Sequence, residues 1–427
     1  MIPAATPRRH LPARKTVAVS LLLGSLIAVA AATLTPTAAS DQPISFWCLK
    51  CGERQAVDLL LNILLFVPVG AALGLYGVRF RRAVFLALFC TCAIEALQFL
   101  VVPGRHASLR DILANFAGAM TGYLLCRDWL ILVAPSHRAA RILATAAAIL
   151  WIVTQTFTAW AMVMTPPPEP WWSQLQPSHD RYPAVFTDRI LAVSVGSIRI
   201  RNSDQLPSDD TQTMREQLLA GAPLRVVVTN VDTTRREAPI AIISGGPVHD
   251  VVWWAQEGRD GIFSVAVRGT LLGLRTPSVR IADVVPSARG DTLALAGAYR
   301  RGMYELRAEN RHGVRHRELR ASASWGWAFL LPFPLFAFGS TVIGLTALYL
   351  AAVWCVLGYW NARSVGAANA IIPVAGMLMA ILLGLGVAPM MFALPIAHWS
   401  EWLAAIVGGA AGWSIARKNQ TKARDSS

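Results

Sequence analysis

Eight apolar runs constrain this chain more than any other feature. They lie near residues 17–34, 57–77, 84–102, 108–126, 142–164, 328–357, 366–390 and 400–416. A helix needs about 17–25 apolar residues to cross a bilayer. Within the bilayer every backbone polar group must be satisfied internally, so such runs are helices. The expected fold class is therefore a polytopic α-helical membrane protein with about eight spans. Only 15% of residues are charged, against about 25% in an ordinary soluble domain. Pro332, Pro334, Pro389 and Pro395 leave the helix count after residue 327 open.

The net charge of +14 is read through the positive-inside rule. Arg8, Arg9, Arg14 and Lys15 precede the first run, and Arg79, Arg81 and Arg82 separate the second from the third. Arg127, Arg138 and Arg141 separate the fourth from the fifth, Arg363 the sixth from the seventh, and Arg417, Lys418, Lys422 and Arg424 follow the eighth. With eight spans all these clusters share one side. Both termini are then expected in the cytoplasm and residues 165–326 outside it. The first run is either an anchor or a cleaved signal, since small residues around Ala38–Ser40 follow it.

Residues 165–326 hold 20 arginines, no lysine and 17 acidic residues, a net charge of only +3. The excess charge thus belongs to membrane flanks, and no nucleic-acid partner is expected. Short β-branched runs mark this segment: Leu191–Ile200, Leu224–Val228, Ile240–Ile243, Val251–Ala255, Ile262–Val267, Val279–Ile281, Leu293–Ala298 and Met303–Ala308. Turn residues separate them, which reads as an all-β sandwich. The stretches APIAIISGG, VVWWAQEGRDGIFSVAVRG and GDTLALAGAYRRGMYELRAEN resemble the laminin-G or concanavalin-like jelly roll over most of residues 182–322. That resemblance implies a carbohydrate- or protein-binding module. Trp253 and Trp254 are the candidate glycan surface, although strand alternation sends one of them inward.

A polar cluster occupies the second to fourth runs. Asp58 and Asn62 stand at i, i+4, Glu95 and Gln98 at i, i+3, and Asp111 and Asn115 at i, i+4. Each spacing puts an acid and an amide on one helix face. Ionisable residues in a span are costly and mark functional sites by default. All six fall near the outer helix ends, and the 103–110 loop brings Arg105, His106 and Arg110 to the same rim. The candidate catalytic residues are Asp58, Glu95 and Asp111, and the candidate ligand-binding residues are Asn62, Gln98, Arg105, Arg110 and Asn115. The alternative is a structural network of helix-tying hydrogen bonds.

The segments DLLLNILLFVPVGAALGL, EALQF and GRHASLRDILANFAGAMTGYLL resemble the VanZ-like family over residues 57–126. The matching positions are Asp58, Asn62, Phe66, Pro68, Gly70, Glu95, Gln98, Arg105, Ser108, Asp111, Asn115, Gly118 and Gly122. The resemblance implies a bacterial inner-membrane envelope protein, in a family first associated with resistance to the glycopeptide teicoplanin. It supplies no reaction, so enzymatic activity stays open. Gly118 and Gly122 form G-x-x-x-G, and with Gly70, Gly74 and Pro68 they are read as helix packing.

The expected division is 1–56, first span and external loop; 57–126, VanZ-like core; 127–164, cytoplasmic loop and fifth span; 165–326, β-sandwich; and 327–427, C-terminal helices. The last segment echoes the core when Glu401 is laid on Asp111, Gly408 on Gly118 and Gly412 on Gly122. Ala405 then replaces Asn115, and Leu385 falls where Glu95 would be. A decayed repeat and a chance similarity of Gly/Ala-rich helices are both open. Cys48 and Cys51, in C-x-x-C outside the cytoplasm, are expected to form a disulfide. No metal or cofactor is expected, because H-E-x-x-H, P-loop and G-x-S-x-G signatures are missing. His106 and Ser108 stand too close in the chain for a triad with Glu95. The expected partners are membrane lipids and a lipid-linked precursor or glycan. Two further functions stand beside ligand binding: a non-enzymatic scaffold, and proton-coupled transport, which the single depth of the cluster disfavours.

Overall fold

The computed structural model describes residues 11–35, 45–49, 55–103, 107–177, 184–229, 236–245, 249–286, 290–330, 340–365 and 370–425. Contacts divide the chain into two compact units, Met1–Ser136 and His137–Ser427.

The first unit is helical: α1 (Leu11–Thr33), α2 (Gln55–Tyr76), α3 (Phe80–Val101), α4 (Leu109–Arg127) and a short turn α5 (Leu130–Val133). Its apolar residues fill the core from several helices, with Val29, Phe66, Val69, Ala87, Ile94 and Ala119 buried together. Helices α2 and α4 meet through glycine. A Cβ on Gly118 would stand 2.1 Å from the Ile63 carbonyl oxygen, and one on Gly122 would stand 1.9 Å from that of Val67. Gly70 returns the contact, its Cβ position lying 1.6 Å from the Ala119 oxygen. The G-x-x-x-G spacing thus does what small residues do in membrane helices: it lets two backbones touch.

The second unit begins with α6 (His137–Ala161). It continues through β1 (Trp171–Leu175), β2 (Ile190–Val195), β3 (Ile198–Ile200), α7 (Ser208–Ala220), β4 (Leu224–Thr229), β5 (Ala238–Gly245), β6 (His249–Glu257) and β7 (Asp260–Val265). Then follow α8 (Arg268–Leu271), β8 (Ser278–Ile281), β9 (Thr292–Arg300), β10 (Met303–Asn310), β11 (Gly313–Arg320) and a 3₁₀ turn, Ala323–Phe329. The unit ends with α9 (Ser340–Ser364), α10 (Ile371–Leu382), a π turn (Leu383–Val387), α11 (Ala388–Met391) and α12 (Trp399–Asp425). Trp151 and Trp354 meet edge to face, 5.4 Å between ring centres, in a core with Leu350, Leu357, Ile381 and Leu385.

The strands form two antiparallel sheets, ordered β1-β5-β6-β7-β8 and β11-β10-β9-β4-β2-β3. This is a β-sandwich, and it is the part of the laminin-G expectation that the structure carries. Trp254 is fully buried, meets Phe263 in a tilted contact with ring centres 5.1 Å apart, and donates from Nε1 to the Leu224 carbonyl of the opposite sheet at 3.0 Å. Trp254 is therefore core and cannot be a glycan surface, while Trp253 on the other face is half-buried. Phe263 fills the space above Gly297, where a Cβ would come within 2.5 Å of the ring. Gly297→Val is accordingly expected to cost the domain ~1–3 kcal/mol by overpacking, read as a lower midpoint for loss of near-ultraviolet dichroism.

Both edges of the five-stranded sheet are engaged. Residues 202–206 lie along β1, with Ser173 N donating to the Asp204 oxygen at 2.9 Å and Leu206 N to that of Trp171 at 2.8 Å. Arg315 of β11 donates to the Ala282 carbonyl just beyond β8 at 2.9 Å, and Arg317 to that of Arg280. Capping loose carbonyls with arginine removes a template for strand pairing.

Among the described residues six helices are long and apolar enough to cross a membrane: α1 from Arg14, α2, α3, α6, α9 from Thr341, and Ile371–Met391. The fourth and eighth runs exist as α4 and α12, but Asp111 and Glu401 lie in their first turns and lower their apolar content. The sixth run also starts later than expected, because Ala323–Phe329 is a 3₁₀ turn and α9 begins at Ser340. Cys48 is disulfide-bonded and Cys51 lies outside the described residues. Cys90, Cys92, Cys126 and Cys355 are free.

Candidate functional site

The start of α4 organises the polar cluster. Ser108 caps this helix, its Oγ accepting from Asp111 N at 3.1 Å, which satisfies one of the orphan donors at a helix N-terminus. The preceding donor, Ser108 N–H, is taken by Glu95 Oε2 of α3 at 3.0 Å. Asp111 Oδ1 accepts from Asn62 Nδ2 of α2 at 2.9 Å and from Arg110 Nε at 3.4 Å. Arg110 Nη2 then reaches Asp58 Oδ2 at 3.9 Å. One continuous path therefore runs Glu95–Ser108–Asp111–Asn62, with Arg110 and Asp58 as a branch.

The six expected residues are brought together in part. Acids and amides that share a helix do not bond each other, and the described amide bonds run between helices. Asn62 serves Asp111, not Asp58. Gln98 turns away from the cluster and donates to the Thr33 carbonyl at the end of α1 at 2.8 Å. Asn115 donates to Thr91 Oγ1 of α3 at 3.2 Å, and its Oδ1 has no hydrogen-bond partner among the described residues. Arg105 and His106 lie outside the described residues. The Ser108 hydroxyl is engaged as a cap, and Glu95 meets the Ser108 backbone, so the contacts are those of a helix start and not of a catalytic triad.

Burial grades the three carboxylates. Glu95 is only 3% exposed, whereas the side chains of Asp111 and Asp58 are 20% and 48% exposed. A carboxylate buried like Glu95 is tolerable only when hydrogen-bonded. Yet Glu95 also lines a cavity of about 480 Å³, whose other walls are Phe46, Cys92, Ala96, Phe99, Ala107 and Ile112. That volume lies within the range of ligand pockets, which are mostly apolar with a few placed polar groups. Phe46 is held in the wall because its carbonyl accepts from Leu109 N at 2.9 Å. Phe99, on the same helix as Glu95, is 70% exposed, so the cavity borders the outer surface of α3.

The sequence reading missed the cavity wall. Cys92, Ala96 and Phe99 lie at i−3, i+1 and i+4 from Glu95, so helix spacing alone would have nominated Cys92 and Phe99. Phe46 belongs to another segment and carried no such signal. Among the described residues no group of three or more His, Cys, Asp or Glu has the geometry of a metal site.

Residues 6–133 match the model of the VanZ/LLP1 family. No curated protein and no solved structure matches the chain. The family match spans less than a third of the sequence, and the entire Glu95–Ser108–Asp111 path falls inside it. The chain is thus a multi-pass membrane protein that carries a VanZ/LLP1-family region at residues 6–133 and a β-sandwich in its second unit.

Proposed function

We propose that the first unit binds a lipid-linked envelope ligand, its hydrocarbon portion in the 480 Å³ cavity and its polar end at the start of α4. The single observation that carries this reading is the combination of a buried carboxylate with apolar walls beside the exposed apolar surface of α3. A fully aqueous ligand would not repay the apolar lining, and a pure hydrocarbon would not use Glu95. The ligand's anionic group would meet Arg110 at the start of α4. Charge placement supports both termini in the cytoplasm, α4 and α12 as additional spans, and the β-sandwich and the cavity rim on the outer side. A jelly-roll glycan-binding role for the sandwich would then rest on Trp253 alone.

Ala96→Trp, which fills the cavity without touching the polar path, tests the reading. Native mass spectrometry of the detergent-released protein is expected to show a retained lipid in wild type and its loss in the variant. Equal lipid retention in both would sink it. If the family's teicoplanin association extends to this chain, the same variant also fails to restore the susceptibility pattern of a deletion strain.

One observation favours a second reading, a scaffold with no ligand. Each carboxylate of the cluster already has an internal partner: Asp58 and Asp111 have Arg110, and Glu95 has Ser108 N–H. On that reading Ala96→Trp changes nothing, and substitutions in the path lower only abundance and thermal stability.

A further inference from the structure

The second unit repeats the helix contacts of the first in register. A Cβ on Gly408 would meet the Ala351 carbonyl oxygen at 2.3 Å, and one on Gly412 that of Cys355 at 1.8 Å. Gly358 faces the Gly409 oxygen at 2.1 Å. These are the contacts Gly118–Ile63, Gly122–Val67 and Gly70–Ala119 of α4 and α2, carried over by one constant shift for each helix. The first helices correspond as well. Ala18, Ser25, Val29 and Thr33 are the buried residues described in α1, and Ala144, Trp151, Gln155 and Ala159 are buried in α6 at the same spacings. Each first helix ties its start to the end of its neighbour, through Arg14 Nη2 to the Gly74 oxygen at 3.3 Å and through His137 Nδ1 to the Arg363 oxygen at 2.8 Å.

Two differences accompany this likeness. Residues 34–54 join α1 to α2, whereas the segment joining α6 to α9 contains the whole β-sandwich. The acid that corresponds to Asp111 is Glu401, 3% exposed, and it has changed partner. Leu350 stands in place of Asn62. Glu401 Oε2 instead accepts from Ser322 Oγ at 2.7 Å, at the exit of the sandwich. Ser322 also caps the 3₁₀ turn by accepting from Ser324 N at 3.2 Å, and Ser324 Oγ reaches Gln155 Oε1 of α6 at 3.4 Å. Where Glu95 would stand, the Leu385 backbone carbonyl in the π turn accepts from Ala397 N at 3.1 Å. The sandwich is held elsewhere too. Tyr299 donates to the Met162 oxygen at 2.6 Å, and Gly302 packs against Leu394 and Pro395.

We propose that α6, α9, α10–α11 and α12 form a second unit of the same construction, with the β-sandwich inserted in its first loop. Glu401 is a positioning residue there. It binds the domain's own exit turn, which occupies the polar end that the first unit keeps for a ligand. The last clause rests on the ligand reading above; the anchor does not.

Hydrogen exchange over residues 321–330 tests the anchor in the intact protein. Glu401→Leu and the smaller change Ser322→Ala are expected to speed exchange at least tenfold. Glu401→Gln, which keeps an acceptor, stays within twofold of wild type, and so does Glu95→Gln. Unchanged exchange in both Glu401→Leu and Ser322→Ala overturns the anchor. Labelling with a diazirine-bearing polyprenyl phosphate tests the occupied end. Label is expected in residues 92–112 and not in 380–405. Label in 380–405 of wild type overturns the proposal. Absence of label in both regions overturns the ligand reading instead, and exchange then decides the anchor by itself.

Discussion

Gly122→Leu is expected to prevent the first unit from assembling, with Gly118→Leu close behind. At both positions a Cβ would enter a backbone carbonyl, at 1.9 and 2.1 Å, so no side-chain rotation relieves the clash and α2 must separate from α4. Overpacking ordinarily costs ~1–3 kcal/mol, and a clash with backbone belongs at or above the top of that range. The matched control is Gly24→Leu in α1, where nothing lies within 4 Å of the Cβ position. Thermal stability in detergent, followed by size-exclusion recovery after heating, should drop sharply for Gly122→Leu and hold for Gly24→Leu. Equal behaviour of the two would mean that α2 and α4 do not touch as described.

The second large effect is at Glu95, where two substitutions separate structure from ligand. Glu95→Ala leaves the Ser108 N–H without its acceptor at a buried site, which costs about 1–3 kcal/mol, and it opens the floor of the cavity. Glu95→Gln keeps an oxygen for Ser108 and removes the charge. Under the ligand reading Glu95→Gln changes lipid retention with stability kept, while Glu95→Ala loses stability as well. Under the scaffold reading Glu95→Gln leaves lipid retention unchanged and moves at most abundance and thermal stability. A Glu95→Gln protein that is stable and still carries its lipid at the wild-type level would leave Glu95 a helix-start acceptor and nothing more.

Much of this architecture was legible because it depends on local pattern. The β runs from Leu224 to Ala308 are strands in the structure, and Leu191–Ile200 differs only in being divided into β2 and β3 by the turn at Gly196. Strand β11, GVRHRELR, was missed because nearly every residue is polar on both faces, so it has no period-two signal. Helix α7 was missed for a related reason. It buries only Thr211, Met214 and Leu218 along its length, too sparse a stripe to stand out. The strands' alternation also required one of Trp253 and Trp254 to face inward. Which one did so depended on the register of β6 against β5 and β7, a long-range property.

The site divides in the same way. The sequence by itself determined that the chain enters a membrane, that a β domain interrupts its helices, and that costly acids and amides gather in the 57–126 segment. Hydropathy and residue spacing act within a window of one or two turns, so those conclusions need no tertiary information. Only the tertiary structure decided that Asn62 pairs with Asp111 and not with Asp58, that Gln98 leaves the cluster for Thr33, and that Glu95 borders an apolar cavity. Hydrogen bonds are made or lost over tenths of an ångström. Which partner each side chain finds was therefore settled by the rotation and close approach of whole helices, set here by glycines pressed against carbonyls a helix away.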